Sequence, residues 1–230
     1  SKIILCDMTP KQLVTIAKNQ LGKRYVKSMN RFRYGSGVFK IDWALKGPVP
    51  WLSKDCSRAG TIHLGGTSLE IANAEKEVAM GKHPQKPYVL IGQQSLFDET
   101  RAPNGKHTLW GYCHVPNGST KDMTGQIENQ IERFAPGFKD LIIQTFTKNS
   151  TEMEKYNPNY IGGDIGGGIQ DFKQLFTRPD WSLTPYATPT KGLYFCSSST
   201  PPGSGVHGMC GYLAAKVALK RELNHKIEAL

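Results

Sequence analysis

The stretch Ser197-Ser-Ser-Thr-Pro-Pro-Gly-Ser-Gly-Val-His-Gly-Met209 holds the residues of this chain best suited to chemistry. It follows a short apolar run, Leu193 to Cys196, and leads into a helical pattern that runs to Leu223. Glycines at a helix start let the backbone approach a ligand closely. The free N–H groups and the positive end of the helix dipole favour an anion or an electron-rich edge there. The same composition also suits a tight strand-to-helix corner that holds nothing. His207, beside the helix start, has the chemistry of a general acid or base, or of a packing or capping residue. Ser197, Ser198 and Ser199 sit in no G-x-S-x-G elbow, which argues against a hydrolase.

Asp164 lies in the densest glycine cluster, Gly162-Gly-Asp-Ile-Gly-Gly-Gly168. It is either a polar group facing a ligand or a turn former whose carboxylate caps local N–H groups. His63, His107 and His114 have no metal-ligand spacing and read as structural or surface residues. The five cysteines, Cys6, Cys56, Cys113, Cys196 and Cys210, are odd in number and form no C-x-x-C pair. No disulfide framework and no metal site are expected. Buried thiols suit a reducing compartment, so a cytoplasmic location is expected.

The elements that must position these residues are readable from periodicity. Ser1 to Cys6 reads as a strand, and Thr9-Pro10 as a helix start with a hydroxyl cap and Pro at the first helical position. Gly22 ends that helix, and Lys23 to Phe32 suits a second one. Val38 to Leu45 alternates, placing Phe39, Ile41, Trp43 and Leu45 on one apolar side. That side either lines a cavity or is ordinary core. A short helix is expected at Trp51 to Arg58, a strand at Thr61 to Leu64, and a helix at Ser68 to Met80 with Gly81 closing it. Tyr88 to Gly92 and Thr108 to His114 read as a hairpin turning at Pro103-Asn104-Gly105. Met123 to Phe134 is an amphipathic helix, Leu141 to Phe146 a strand, and Thr151 begins a short helix. Gly205 to Leu223 is the expected closing helix.

The net charge is +10, and most of the excess lies in one stretch. From Met8 to Ile41 there is no acidic residue, but there are Lys11, Lys18, Lys23, Arg24, Lys27, Arg31, Arg33 and Lys40. A solvated helical face, a contact with an anionic membrane surface, and nucleic-acid binding all suit such a stretch. No recognition motif accompanies the charge, so no nucleic-acid partner is expected. No apolar run is long enough to cross a bilayer. The start of the chain does not read as a signal peptide, because its apolar run is short and ends on Asp7.

Leu193-Tyr-Phe-Cys-Ser-Ser-Ser-Thr-Pro-Pro-Gly-Ser-Gly-Val-His-Gly-Met-Cys-Gly-Tyr-Leu-Ala-Ala215 is similar, almost position by position, to the closing flavin-contacting motif of phytoene-desaturase-like FAD-dependent oxidoreductases. Phe32-Arg-Tyr-Gly-Ser-Gly-Val-Phe-Lys-Ile-Asp-Trp-Ala-Leu45 resembles the entry into that family's substrate domain. The segment Ser95 to His114 resembles its central hairpin, and Tyr156 to Gly168 resembles a loop of the bacterial branch. The resemblance implies FAD as cofactor. It implies Ser197 and Ser198 near the phosphates, and Gly203, Gly205, Val206, Gly208 and Met209 at the flavin. Related flavoproteins often carry an acidic residue after the strand end. Here the segment is all hydroxyl, so phosphate contact would run through Ser or backbone groups.

No Gly-rich βαβ unit with the dinucleotide fingerprint opens this chain. The expected fold is therefore α/β or α+β: a mixed-sheet substrate domain with flanking helices, plus the terminal strand and helix of a Rossmann-like FAD domain. The expected division is 1–30 as the end of the FAD-domain strand with basic helices, 31–190 as the substrate domain, and 191–230 as the closing strand, turn and helix. A chain that starts inside a strand is expected to belong to something longer or to work beside another chain. The implied function is hydride transfer from a hydrophobic small molecule to flavin, with Asp164 and His207 as candidate catalytic groups. The alternative is a non-catalytic subunit that needs a Rossmann-bearing partner. A basic membrane-surface module is a third reading. The expected partner is an N-terminal Rossmann half, or a second copy meeting Ser1 to Cys6 and Leu193 to Leu223.

Overall fold

A computed structural model describes residues 1–103, 105–205 and 207–224 of the chain. In chain order the elements are β1 (Ile4–Cys6), α1 (Pro10–Ala17), α2 (Lys23–Met29), β2 (Gly37–Leu45), β3 (Thr61–Leu64), α3 (Ser68–Ala79) and β4 (Val89–Gly92). There follow β5 (His107–Val115), α4 (Thr124–Phe134), β6 (Ile142–Lys148), α5 (Ser150–Tyr156), α6 (Phe172–Phe176), β7 (Leu193–Phe195) and α7 (Met209–Glu222). Lys54–Arg58, where a short helix is expected, is a single stretch of 3-10 helix. The chain forms two compact units, Ser36–Tyr156 and the segments either side of it. Residues 157–190, read above as part of a substrate domain, pack with the chain ends.

The Ser36–Tyr156 unit is built on a five-stranded antiparallel sheet in the order β3-β4-β5-β2-β6. Alternation fixes the register: Phe39 lies opposite Cys113, Ile41 opposite Gly111, and Trp43 opposite Leu109. Phe39, Ile41, Trp43 and Leu45 are almost fully buried, together with Met123, Ile127, Ile131 and Phe138. The apolar side of β2 is thus part of the core. Each such side chain contributes about 2 kcal/mol by leaving water. The Trp43 ring meets Phe138 edge-on at 5.6 Å, and its indole N–H donates to Glu128 at 3.1 Å. α3 starts on a reciprocal capping box between Thr67 and Glu70.

The other unit holds a two-stranded parallel sheet, β1 with β7, in the register Ile4–Leu193, Leu5–Tyr194 and Cys6–Phe195. Its core is Leu13, Ala17, Leu21, Tyr25, Met29 and Phe195. Thr9 takes the N-cap position of α1, with Pro10 following, but its side chain makes no capping bond. The Lys11 N–H, which a cap hydroxyl would accept, goes to Tyr34 Oη at 3.1 Å. α2 ends at Met29 and not at Phe32, although Phe32 is still buried. The closing helix begins at Met209 and not at Gly205. Gly205 has φ +144° and Gly208 has φ +66°, both outside the helical region. Gly205 also packs under the His207 ring, where a Cβ would come within 2.7 Å of Cδ2.

All five cysteines are free thiols. Among the described residues, no helix is long and apolar enough to cross a membrane.

Candidate functional site

β1 and β7 run parallel, so their carboxyl ends open on the same edge of the sheet. Ligands of open parallel sheets bind at that edge. Asp7, Met8 and Thr9 leave β1 there, and Ser197 and Ser198 leave β7. With Asn159, Tyr160, Ile165 and Gly167 they line a cavity of about 210 Å³. The Thr9 N–H donates to Asn159 Oδ1 at 2.9 Å. The Thr9 hydroxyl is buried and has no hydrogen-bond partner. An unpaired buried hydroxyl costs about 1–3 kcal/mol, which a polar ligand group in the cavity would relieve.

The loop 161–168 forms one wall, and Asp164 organises it. Its carboxylate is 4% exposed and accepts three backbone N–H groups: Gly35 at 2.7 Å, Gly166 at 2.7 Å and Gly168 at 2.9 Å. Both oxygens are engaged, as expected of a turn-capping aspartate. Arg178 ties this loop to the turn after β7. Its Nε and Nη2 donate to Ser198 O at 3.0 and 2.7 Å. The other donors reach Gly167 O at 3.2 Å and Ile169 O at 3.1 Å. Burial lowers the Arg178 pKa, and the nearby Asp164 carboxylate opposes that shift. Ser199, fully buried, adds a bond from its hydroxyl to Gly167 O at 2.7 Å.

The expected site residues separate into three groups. Ser198 lines the cavity, and its hydroxyl makes no hydrogen bond among the described residues. Ser197 also lines it, but Ser197 Oγ accepts the Ser199 N–H at 3.1 Å and so serves the turn. Gly203 is buried inside the turn, its carbonyl facing the Cys210 thiol at 3.4 Å. Gly205, His207, Gly208 and Met209 form an exposed corner away from the cavity lining. His207 Nδ1 accepts the Met209 N–H at 3.0 Å, so the imidazole caps α7 and offers only Nε2 to anything else. Val206 lies outside the described residues. Burial, with Asp7 and the Cys6 and Cys210 thiols adding to it, pushes the Cys196 thiol up to about 11.

Sequence reading missed Thr9, Asn159 and Arg178. Arg178 had no local signal, because its partners are backbone carbonyls contributed by two separate segments. It also passed over one literal spacing: Gly203, Gly205 and Gly208 have the letters of G-x-G-x-x-G. That fingerprint needs a strand running directly into the first glycine and a second strand after the helix. Here 196–202 intervene between β7 and Gly203, so the strand does not run directly into the first glycine.

His63, His107 and His114 are held by the sheet unit. His114 Nδ1 is 2.8 Å from a Glu75 carboxylate oxygen, His107 meets Ser95 Oγ at 3.1 Å, and His63 packs edge-on against Tyr88. No group of three or more His, Cys, Asp or Glu among the described residues is arranged to hold a metal. The sheet unit also contains a cleft of about 350 Å³ walled by Leu52, Cys56, Ile62, Leu64, Ile71 and Phe134.

The first cavity suits part of an FAD molecule. Its hydroxyls and glycine backbone suit phosphate or polyol oxygens. Its volume, about 210 Å³, falls below the ~300–1,000 Å³ of small-molecule pockets. The residues therefore fit a segment of a dinucleotide and not a whole one.

No protein-family model matches the chain. Among solved structures it resembles an oxidoreductase from Methanosarcina mazei, with a TM-score of 0.52 and 13% identity over 94% of this chain and 42% of that one. It also resembles a putrescine oxidase mutant made in a structure-based redesign of cofactor binding, with a TM-score of 0.54 and 12% identity over 97% of this chain and 43% of the other. The chain thus spans less than half the length of these proteins. The likeness is one of fold: a mixed α/β arrangement that matches part of an oxidoreductase.

Proposed function

We propose that this chain is the substrate-domain-bearing portion of a phytoene-desaturase-like FAD-dependent oxidoreductase, completed by a half that carries the dinucleotide-binding βαβ unit. One observation carries the reading: among the described residues the sheet at the cavity has two strands, and β1 has an open edge. The Ile4 N–H donates to Gly192 O and the Cys6 carbonyl accepts from Cys196, so both face β7. The main chain of Leu5 between them faces outward, since successive residues alternate. The far edge of β7 is closed by Tyr186 and Thr188, bonded to Phe195 and Leu193. Ile4 and Leu5 are 50% and 45% exposed. Parallel sheets are normally covered on both faces and have more strands than this. A parallel strand from a Rossmann half added at β1 would complete the sheet and enlarge the cavity at its carboxyl edge.

Bound flavin supplies hydride acceptance from a hydrophobic substrate. The residues of this chain do the rest by holding and excluding. The hydroxyls of Thr9 and Ser198 would hold polar oxygens of the cofactor. Asp164 and Arg178 keep the glycine loop and the closing turn fixed against each other. Such chemistry asks the protein mainly for position and dryness, which agrees with Asp164 and His207 both being committed to backbone N–H groups.

The test is flavin absorbance after gel filtration with FAD. The chain alone is expected to lose the flavin, and the chain co-expressed with a Rossmann-bearing half to keep it. Loss in both cases would overturn the proposal.

A further inference from the structure

The unit holding the chain ends carries a second cleft, of about 890 Å³, that the flavin reading does not use. One wall is α2 and the residues just past its end, which contribute Arg24, Tyr25, Lys27 and, beyond the helix, Arg31. The other is the segment 180–189, joined by Arg221 of α7. Arg24, Lys27 and Arg31 are spaced three and four residues apart and share one helical face, continued past the end of α2. All three are exposed, and none is ion-paired among the described residues. Arg221 Nη2 donates to Thr184 Oγ1 at 2.8 Å. One carboxylate, Asp180, lies in the cleft, and it is already bonded by the Ser28 hydroxyl and the Trp181 N–H. Four cations thus face one occupied carboxylate.

Tyr25 supplies the independent observation. The residue is 7% exposed, and its hydroxyl is buried with no hydrogen-bond partner. Burial, with the Asp180 charge adding to it, pushes the phenol pKa up, so the group stays an O–H donor. A buried donor without an acceptor, in the wall of a cationic cleft, is a place for an anion's oxygen.

We propose that this cleft binds a phosphate- or diphosphate-bearing ligand, with Arg24, Lys27, Arg31 and Arg221 taking its oxygens and Tyr25 donating to one of them. Guanidinium forks match phosphate oxygens in pairs, and several cations in one cleft suit a multiply charged head better than a single carboxylate. Pro185, Ala187 and Pro189, with the 77% exposed Trp181, add apolar surface for the rest of the ligand. The head could belong to a soluble phosphorylated molecule or to an anionic lipid.

Calorimetry of the 230-residue chain with inorganic pyrophosphate tests the first source. Co-sedimentation with phosphatidylglycerol vesicles, against phosphatidylcholine alone, tests the second. In whichever arm binds, the double variant Arg24→Gln/Arg31→Gln is expected to lower affinity at least about tenfold. Tyr25→Phe, which keeps the ring in the core, is expected to cost about threefold to tenfold. A charge-matched control, Lys76→Gln/Lys82→Gln in the sheet unit, is expected to stay within about twofold. Binding in neither arm would overturn the proposal. So would a control as damaging as the cleft variant, because binding would then be diffuse electrostatics.

Discussion

Replacing Asp164 separates a structural carboxylate from a catalytic one. Oδ2 accepts from Gly35 and Gly168, and Oδ1 accepts from Gly166. In Asp164→Asn, the single carbonyl oxygen can take the Oδ2 position and keep two bonds. The amide NH2 then faces the Gly166 N–H, donor against donor. Losing one bond to a charged acceptor costs about 1.5–3 kcal/mol, and the two retained bonds weaken as their acceptor becomes neutral. The expected loss is about 2–4 kcal/mol. Asp164→Ala takes the acceptor away from all three N–H groups at a position that is 4% exposed, and about 3–5 kcal/mol is expected. Urea denaturation of the chain gives the loss. Amide hydrogen exchange then locates it, with Gly35, Gly166 and Gly168 expected to lose protection first. The reasoning fails if Asp164→Ala costs less than about 1 kcal/mol. It also fails if the alanine chain keeps those amides protected. If Asp164→Asn is fully stable but the proposed assembly with a Rossmann-bearing half loses turnover, the carboxylate acts in the chemistry and not in the loop.

Thr9→Val removes a buried hydroxyl that has no partner. The free chain is expected to melt at the same temperature or to gain about 1 kcal/mol, while flavin retention in the proposed assembly with a Rossmann-bearing half falls. The Asp171 carboxylate is held down to about 2, first by the Arg33 side chain and then by the Gln174 N–H. Its folded pKa lies below the ordinary value, so its contribution is full above that value and disappears as pH falls through about 2. An NMR titration should place the midpoint there, and Arg33→Leu should move it back toward the ordinary range. With Cys196 near 11, about one molecule in a thousand carries that thiolate at pH 8, and burial pushes the Cys113 thiol higher still. Both are expected to resist Ellman's reagent in the native chain and to react in urea. Rapid native labelling of Cys113 would contradict its burial.

Periodicity along the sequence determined most of the elements, because a period of 2 or 3.6 is a local pattern imposed by a water-facing and a core-facing side. The alternation in Gly37–Leu45 and the amphipathic Thr124–Phe134 are of this kind: the first buries Phe39, Ile41, Trp43 and Leu45, the second Ile127 and Ile131, with Phe134 partly buried. The closing strand, turn and helix were legible for the same reason. The helix start was misplaced because the left-handed backbone at Gly208 is a choice that glycine permits but does not announce.

Tertiary structure alone decided what the polar residues do. Asp164 was a loop aspartate until the fold brought it the N–H of Gly35, 129 residues away. Thr9 read as a helix cap, but Tyr34 took the N–H that its hydroxyl would have accepted, and Asn159, 150 residues away, took the N–H of Thr9 itself. That left the hydroxyl unpaired at the cavity. Arg178 gave no sign of itself, since its acceptors are carbonyls that every sequence possesses. Hydrogen bonds reach only a few ångströms. Which groups lie within that reach is set by chain segments far apart in sequence, and no local pattern encodes it.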